Sequence, residues 1–433
     1  MSEASGAHRV LILSATTGYQ LRSFNDAASR LGITLAFATD RCHALDDPWQ
    51  DEAVPVRFHE EDASIAGVVA AAAARPFAGA LPVGDRPARL AARVGAALGL
   101  PGHPLQSVVD ATSKLRARRR FQAAGLATPW FVPVPPGAPA EVFARDPRVV
   151  YPCVVKPTGL SGSRGVIRAD TPAEGAAAIE RIRALLARPD VRALRTPDGD
   201  QIVIEGFIPG REYALEGVMT NGRLVTLAIF DKPDPLDGPF FEETIYATPA
   251  RLGPTEERAI LATVEQAVAA LGLHHGAVHA ECRMDQATVV MLEIAPRPIG
   301  GLCSRVLRFV PATSPESTPI SLEELLLRHA VGEDVTGWRR EPQAAAVMMI
   351  PIPRRGHLRR VEGEDAARAV RLVEEVRITA KQDQLLEPLP EAGSYLGFIF
   401  ARAGSASAAI EAVREAHACL AFGIEAQIAV RPA

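Results

Sequence analysis

No apolar run in this chain of 433 residues approaches the ~20 residues of a membrane span; the longest candidate, Ala66 to Ala74, is short and alanine-rich. Met1-Ser-Glu-Ala-Ser-Gly lacks the basic and apolar stretches of a secretory leader, so a cytoplasmic protein is expected. Cysteine is scarce: Cys42, Cys153, Cys282, Cys303 and Cys419 are scattered, with no Cys-x-x-Cys pair. That argues against a disulfide framework or a thiolate metal site and for reduced, structural thiols. Neither sign of charge is in excess. A formal net charge of −4 gives no general attraction to nucleic acid or anionic lipid, and neither is expected as a partner. The run Gly, four residues, Gly-Lys-Ser/Thr is absent, and no Gly-x-Gly-x-x-Gly opens a helix, including at Ser14 to Tyr19 after the first strand. Apolar residues are plentiful at 48%, ample for packed cores, and a chain this long divides into two or three domains.

Two strand-like runs carry the strongest signal. Ala277-Val-His-Ala-Glu281-Cys-Arg-Met and Val289-Val-Met-Leu-Glu293-Ile-Ala-Pro-Arg297 flank the polar Asp285-Gln-Ala-Thr288, which reads as a hairpin loop. Alternation sets His279 and Glu281 on one face of the first strand, and Glu293, Ala295 and Arg297 on one face of the second. With the loop centred on Ala287, Glu281 stands opposite Glu293. Like charges across a ladder are destabilising, so the pair asks for a cation between them, and two carboxylates suit Mg²⁺. A surface hairpin with two solvated acids is the other reading.

Upstream, Val149-Val-Tyr-Pro-Cys-Val-Val-Lys156 is a strand ending in Lys-Pro. The Gly- and Ser-rich hairpin Thr158 to Val166 follows it, and its glycines and hydroxyls with the lysine suit a phosphate cradle, an ordinary turn being the other reading. Lys114 opens a helix that runs to about Ala124 and stops at Gly125. Ile202-Val-Ile-Glu205-Gly-Phe207-Ile-Pro-Gly-Arg-Glu212-Tyr reads as strand, hinge and strand.

In this order, Lys114, Lys156, the Gly-Ser hairpin, Glu205 to Glu212, and Glu281 with Glu293 to Arg297 resemble the ATP-grasp superfamily of carboxylate–amine ligases, nearest its L-amino-acid ligase branch. The resemblance implies an α/β fold of the α+β ATP-grasp kind. A Rossmann-like pre-ATP-grasp lobe would span 1–105, a two-lobed ATP-grasp domain 106–335, and an α+β domain like that of L-amino-acid ligases 336–433. Lys114, Lys156 and the flap Ser161, Gly162, Ser163 and Gly165 would hold the phosphates of ATP. The backbone of Glu205 and Phe207 would read the adenine edge, and Glu212 the ribose. Glu281 and Glu293 would hold Mg²⁺ (or Mn²⁺), and Arg297 would stabilise the transferring phosphoryl group and the acyl phosphate. Where many members have Glu-x-Asn, this chain has Glu293-Ile-Ala295, and alanine offers no ligand. The implied reaction joins a small carboxylate and an amine, amino acids in that branch, into an amide with release of ADP and phosphate. Alternatives are a carboxylase- or purine-biosynthesis-type member, or a nucleotide-binding sensor without turnover. Dimers are common in these families, so a homodimer is a possible assembly.

Helix signals mark the frame. Thr171-Pro-Ala-Glu174 and Ser321-Leu-Glu-Glu324 read as capping boxes, and Ile260, Val264, Val268 and Leu271 form one stripe before Gly272. Ala344 to Pro351 and Gly397 to Ala401 read as strands, and Ser405 to Phe422 as a helix. The loop from Lys232 to Tyr246 should face substrate, with Glu242 and Glu243 as candidate receivers of an ammonium group and Phe240 and Phe241 as an apolar wall. His279 is a candidate orienting group or proton carrier, whereas His274 and His275 read as structural. The glycine run Pro298 to Arg305 resembles the segment that meets the acyl group in amino-acid ligases. Two basic clusters remain: Arg354, Arg355, His357, Arg359 and Arg360, offered to a substrate carboxylate, and Arg116, Arg118, Arg119 and Arg120, of which one would face phosphate and the rest water.

Overall fold

A computed structural model of the chain describes residues 8–15, 21–40, 53–197 and 199–426. Cys42, Met1 to Gly6 and residues 16–20 of the turn after the first strand lie outside the described residues. The N-terminal part is a parallel sheet ordered β3-β2-β1-β4, built from β1 (Arg9–Ser14), β2 (Thr34–Thr39), β3 (Val54–Pro55) and β4 (Gly79–Val83). A parallel strand covered on both faces reads as an unbroken apolar run, and β1 is fully buried. Val10 and Ile12 share a core with Phe24 and Leu325, while Leu11 and Leu13 share another with Val68, Leu90 and Val94.

A second, antiparallel sheet is ordered β5-β8-β6-β7, from β5 (Phe131–Val134), β6 (Cys153–Pro157), β7 (Ile167–Ala169) and β8 (Ile202–Gly206). The helix Pro172–Leu186 covers it through Ala178, Ile179 and Ile182. Thr171 caps that helix, its hydroxyl accepting the Glu174 N–H at 3.3 Å. The expected capping box is only half made, because the Glu174 carboxylate takes the Asp170 N–H at 2.7 Å instead of that of Thr171. The box at Ser321 and Glu324 closes both ways, at 3.2 and 2.9 Å.

The third sheet has eight strands. Its order is β13 (Thr288–Ala295), β12 (Gly276–Asp285), β9 (Arg211–Thr220), β10 (Arg223–Lys232), β11 (Ile245–Thr248), then Ala344–Ile350, Gly397–Ala403 and Val373–Ile378. Since Ile245 pairs with Met348, one continuous sheet carries residues from both sides of position 336. Strand composition is local and cross-strand partnership is not, so this continuity was invisible to pattern reading. The helix Pro254–Leu271 packs Ile260, Val264, Val268 and Leu271 beneath Val278, Met291 and Ile294, and ends at Gly272 in the left-handed conformation, φ 70°. The helix Ala406–Ala418 is shorter than expected, and Phe422 belongs to the strand Ala421–Glu425. Two three-stranded sheets complete the fold. No helix among the described residues is long and apolar enough to cross a membrane.

Gly79 sits where β4 meets the end of the helix Leu322–Ala330. A Cβ at Gly79 would lie 2.2 Å from the Ala330 carbonyl oxygen, a backbone atom that a side-chain rotation cannot clear. Gly79→Ala is therefore expected to destabilise this contact by about 1–3 kcal/mol, read as a lowered first thermal transition.

Candidate active site

The three larger sheets face a cavity of about 730 Å³. At its centre is the β12–β13 hairpin. Asp285 pairs with Thr288 across a two-residue turn, Gln286-Ala287, with Gln286 at φ 54°. That register alone would set Glu281 against Leu292. A bulge between Glu281 and Cys282 absorbs one residue and brings Glu281 opposite Glu293. The facing acids are thus correct, but they arise from the bulge and not from a loop centred on Ala287.

The pair was expected to share one cation, and the structure provides two separate sets. Glu281 lies 3.2 Å from Lys232 Nζ and 3.3 Å from His279 Nε2, and accepts the Tyr246 hydroxyl at 3.2 Å. Glu293 lies 3.2 Å from Lys114 Nζ. Burial opposes ionisation of Glu281, but Lys232 and His279 outweigh it and hold the acid below its usual range. Both acids line the cavity. Two carboxylates on neighbouring strands offer the hard oxygen donors that Mg²⁺ prefers alongside phosphate and water, so the donor chemistry fits that ion. Ala295 stands opposite His279 and offers no oxygen there.

His279 is buried between two acids, with Nδ1 3.0 Å from Glu216 and Nε2 toward Glu281. Burial lowers its pKa, yet the hydrogen bonds to Glu216 and Glu281 lift it to about 9. A ring held as imidazolium at neutral pH orients its neighbours. Glu216 also accepts the Ile299 N–H at 3.1 Å, which anchors the start of the glycine run.

Lys156 and Glu205 form the next layer. Lys156 Nζ donates to Glu205, whose carboxylate also takes Arg118 Nε at 2.8 Å and Nη2 at 3.1 Å. Burial pulls Lys156 down to about 8 against the pull of Glu205; burial raises Glu205, but Arg118 and Lys156 together hold it at about 2. Arg118 is therefore a buried strut and not one of the water-facing arginines expected of its cluster. In the same cluster Arg120 pairs with Asp110 at 2.7 Å, and Arg116 lines the cavity. Lys114 Nζ also donates to Leu160 O at 2.7 Å, beneath the flap. Within the flap Gly162, Ser163 and Gly165 have φ 64°, 56° and 77°, and the Gly165 N–H donates to Pro390 O at 2.9 Å.

At the hinge, the Phe207 N–H donates to Pro152 O at 3.2 Å. That N–H is engaged within the protein. The Phe207 ring stacks 6.5 Å from Phe241, with the Arg283 guanidinium 5.4 Å from its centroid. Arg283 Nε holds Glu212 at 3.0 Å, and Lys232 Nζ holds it at 2.6 Å.

Arg297 is bidentate with Asp85, at 2.7 and 3.1 Å. Asp85 opens the helix Asp85–Leu98 directly after β4, so the N-terminal lobe contributes to the site. Pattern reading missed Asp85, although its place just beyond the carboxyl end of a parallel strand is where such sheets carry ligands. It also missed Lys232 as a site residue, along with Glu216, Tyr246 and Arg283. Of the substrate loop, Phe241 and Glu243 line the cavity. Phe240 instead packs with the second sheet under Arg181, and Glu242 is engaged by the backbone of Ile352. The C-terminal basic cluster is spent elsewhere: Arg359 pairs with Asp383 and Glu425, Arg360 with Glu362, Arg355 with Glu387, and Arg354 donates to Ile424 O. His275 stacks on His329 at 4.2 Å, away from the cavity.

Comparison with known proteins agrees with this architecture. The ATP-grasp domain family matches residues 149–306, the L-amino acid ligase C-terminal domain 2 matches 348–425, and the ATP-grasp N-terminal domain matches 25–102. The crystal structure of an L-amino acid ligase from Bacillus licheniformis superposes with a TM-score of 0.79 at 27% identity, covering 96% of this chain and 99% of that one. Protein y4rH of Sinorhizobium fredii is 24% identical over 73% of this chain and 62% of its own length. An alanine–anticapsin ligase of Bacillus amyloliquefaciens is 28% identical over 47% of this chain and 44% of its own length. The chain thus spans about half the length of the curated relatives it matches. It belongs to the ATP-grasp superfamily of ligases and carries the C-terminal domain of their L-amino acid ligase branch.

Proposed function

We propose that this chain is an ATP-dependent carboxylate–amine ligase that forms an amide or peptide bond between small substrates, amino acids by preference. The observation that carries the reading is the convergence on one cavity of Lys114, Lys156, the Gly-Ser flap, Glu281, Glu293 and Arg297. In this reading residues 106–335 bind nucleotide, with residues 1–105 and 336–433 walling the site. Lys114 and Lys156 hold the phosphates, and the backbone of Ser161, Gly162, Ser163 and Gly165 covers them. Glu212 takes the ribose, and the backbone of Glu205 and Phe207 reads the adenine edge. Glu281 and Glu293 would hold Mg²⁺, which would supply charge neutralisation during transfer of the γ-phosphoryl group to the substrate carboxylate. Arg297, fixed by Asp85, faces the same region and stabilises the acyl phosphate. Glu243, raised by burial to about 7 against Lys232, is placed to meet the incoming amine, whose attack releases phosphate. The Bacillus ligase similarity supports amino acids as substrates and leaves the acid and the amine to the loops around the cavity.

Two outcomes test this. Incubation with Mg-ATP and pairs of amino acids should yield ADP, phosphate and a product of the combined mass less water. AMP and pyrophosphate as the main nucleotide products would instead indicate adenylation and overturn the acyl-phosphate route.

The two acids should also separate when substituted singly. Glu293→Gln is expected to reduce the rate by on the order of 10²–10³ with little change in melting temperature, since its partner Lys114 keeps Leu160 O. Glu281→Gln should lower both, because it removes a buried partner from Lys232 and His279 at once. Retained activity with lost stability in both variants would assign the acids to the fold alone.

A further inference from the structure

Lys232 ends β10 and is buried, yet its ammonium reaches three carboxylates: Glu212 at 2.6 Å, Glu243 at 2.7 Å and Glu281 at 3.2 Å. Oxygens of these three acids lie within 4.8 Å of one another, the spacing of a cage for a cation. They come from separate parts of the chain: Glu212 from β9, Glu243 from the loop before β11, and Glu281 from β12. Buried carboxylates brought this close repel unless a positive charge sits among them. Lys232 supplies that charge, its ammonium nitrogen lying over the Tyr246 ring, 4.7 Å from its centroid. Arg283 holds the second oxygen of Glu212 and His279 braces Glu281, so protein side chains position the trio.

A divalent ion entering this cage alone would face the ammonium a few ångströms away. Nucleotide phosphates, by contrast, bring negative charge that offsets the repulsion and draws the ion toward the Glu281–Glu293 side. Resting on the ligase reading, in which Glu281 holds the metal, we propose that Lys232 is a positioning residue, the resident cation of the Glu212–Glu243–Glu281 trio. Its ammonium fills the place a divalent ion would take, presets Glu281, and makes metal entry depend on nucleotide.

The test is Mn²⁺ binding to the full chain, followed by loss of the free-ion paramagnetic resonance signal, with and without ADP. The unmodified protein should bind Mn²⁺ only when ADP is present at sub-millimolar metal. Lys232→Met, which keeps the stem and removes the charge, should bind Mn²⁺ without nucleotide at least about tenfold more tightly than the unmodified protein. Adding Glu243→Gln should cancel that gain. A Lys232→Met chain that folds only when Mn²⁺ is supplied also supports the proposal, and one that stays unfolded with Mn²⁺ overturns it. Equal nucleotide-independent binding by both proteins, or a site in the unmodified protein that Glu243→Gln abolishes, overturns it as well. Failure of the ligase reading shows separately, as no ADP formation by the unmodified protein with any amino-acid pair, and leaves the Mn²⁺ titration decisive for Lys232.

Discussion

A carboxylate taken out of water must be met by a cation, and the site described above is organised by that requirement. Glu205 is met by Arg118 and Lys156, Glu212 by Lys232 and Arg283, Glu216 by His279, Glu281 by Lys232 and His279, and Asp85 by Arg297. Removing one partner of such a pair leaves a buried charge uncompensated, which costs far more than the pair contributes. The network is therefore strict about geometry even where its net stabilisation is modest. It is built on rigid strands: Glu212, Glu216, Lys232, Glu281 and Arg283 all project from one sheet.

The same pairs join separate parts of the chain. Arg297 to Asp85 ties the end of the hairpin strand to the N-terminal lobe. Arg118 to Glu205 links the helix Lys114–Ala123 to the second sheet, and the Arg118 Nη1 bond to Met291 O, at 2.7 Å, reaches the third. A looser set fastens the flap, the helix Pro172–Leu186 and the segment after it to the C-terminal part. Arg164 Nε donates to Glu391 O at 2.7 Å, Arg181 pairs with the Glu391 carboxylate, and Arg188 pairs with Glu387. Arg181 and Glu391 are 46% and 31% exposed, so that pair contributes little by itself. Tight pairs surround the cavity floor, and the more exposed pairs of this second set are weaker.

The two readings of the hairpin show what charge pattern can and cannot decide. Glu281 and Glu293 were paired from alternation, and they are paired. The demand for a cation was also correct as physics, but it is met twice over by Lys232, His279 and Lys114, residues that are 49, 2 and 179 positions away in the chain from the acids they meet. Each acid thus has its own counter-charge.

Strand and helix periodicity, caps and the ordered spacing of Lys114, Lys156, Glu205, Glu212, Glu281, Glu293 and Arg297 are properties of neighbouring residues. The sequence by itself therefore determined the elements, the α/β class and the ligase family. Tertiary structure alone decided which of those side chains remain open to a ligand. Phe207 lost its N–H to Pro152, Arg118 turned inward to Glu205, and the arginines of the cluster Arg354 to Arg360 were taken up by the Ile424 carbonyl and by acids nearby in the C-terminal part. Asp85 and Lys232 entered the site because β4 and β10 end at the cavity, and the bulge after Glu281 set the acid pair in register. Each of these depends on which distant backbone lies alongside, and a partner's identity across space leaves no periodic trace in the chain.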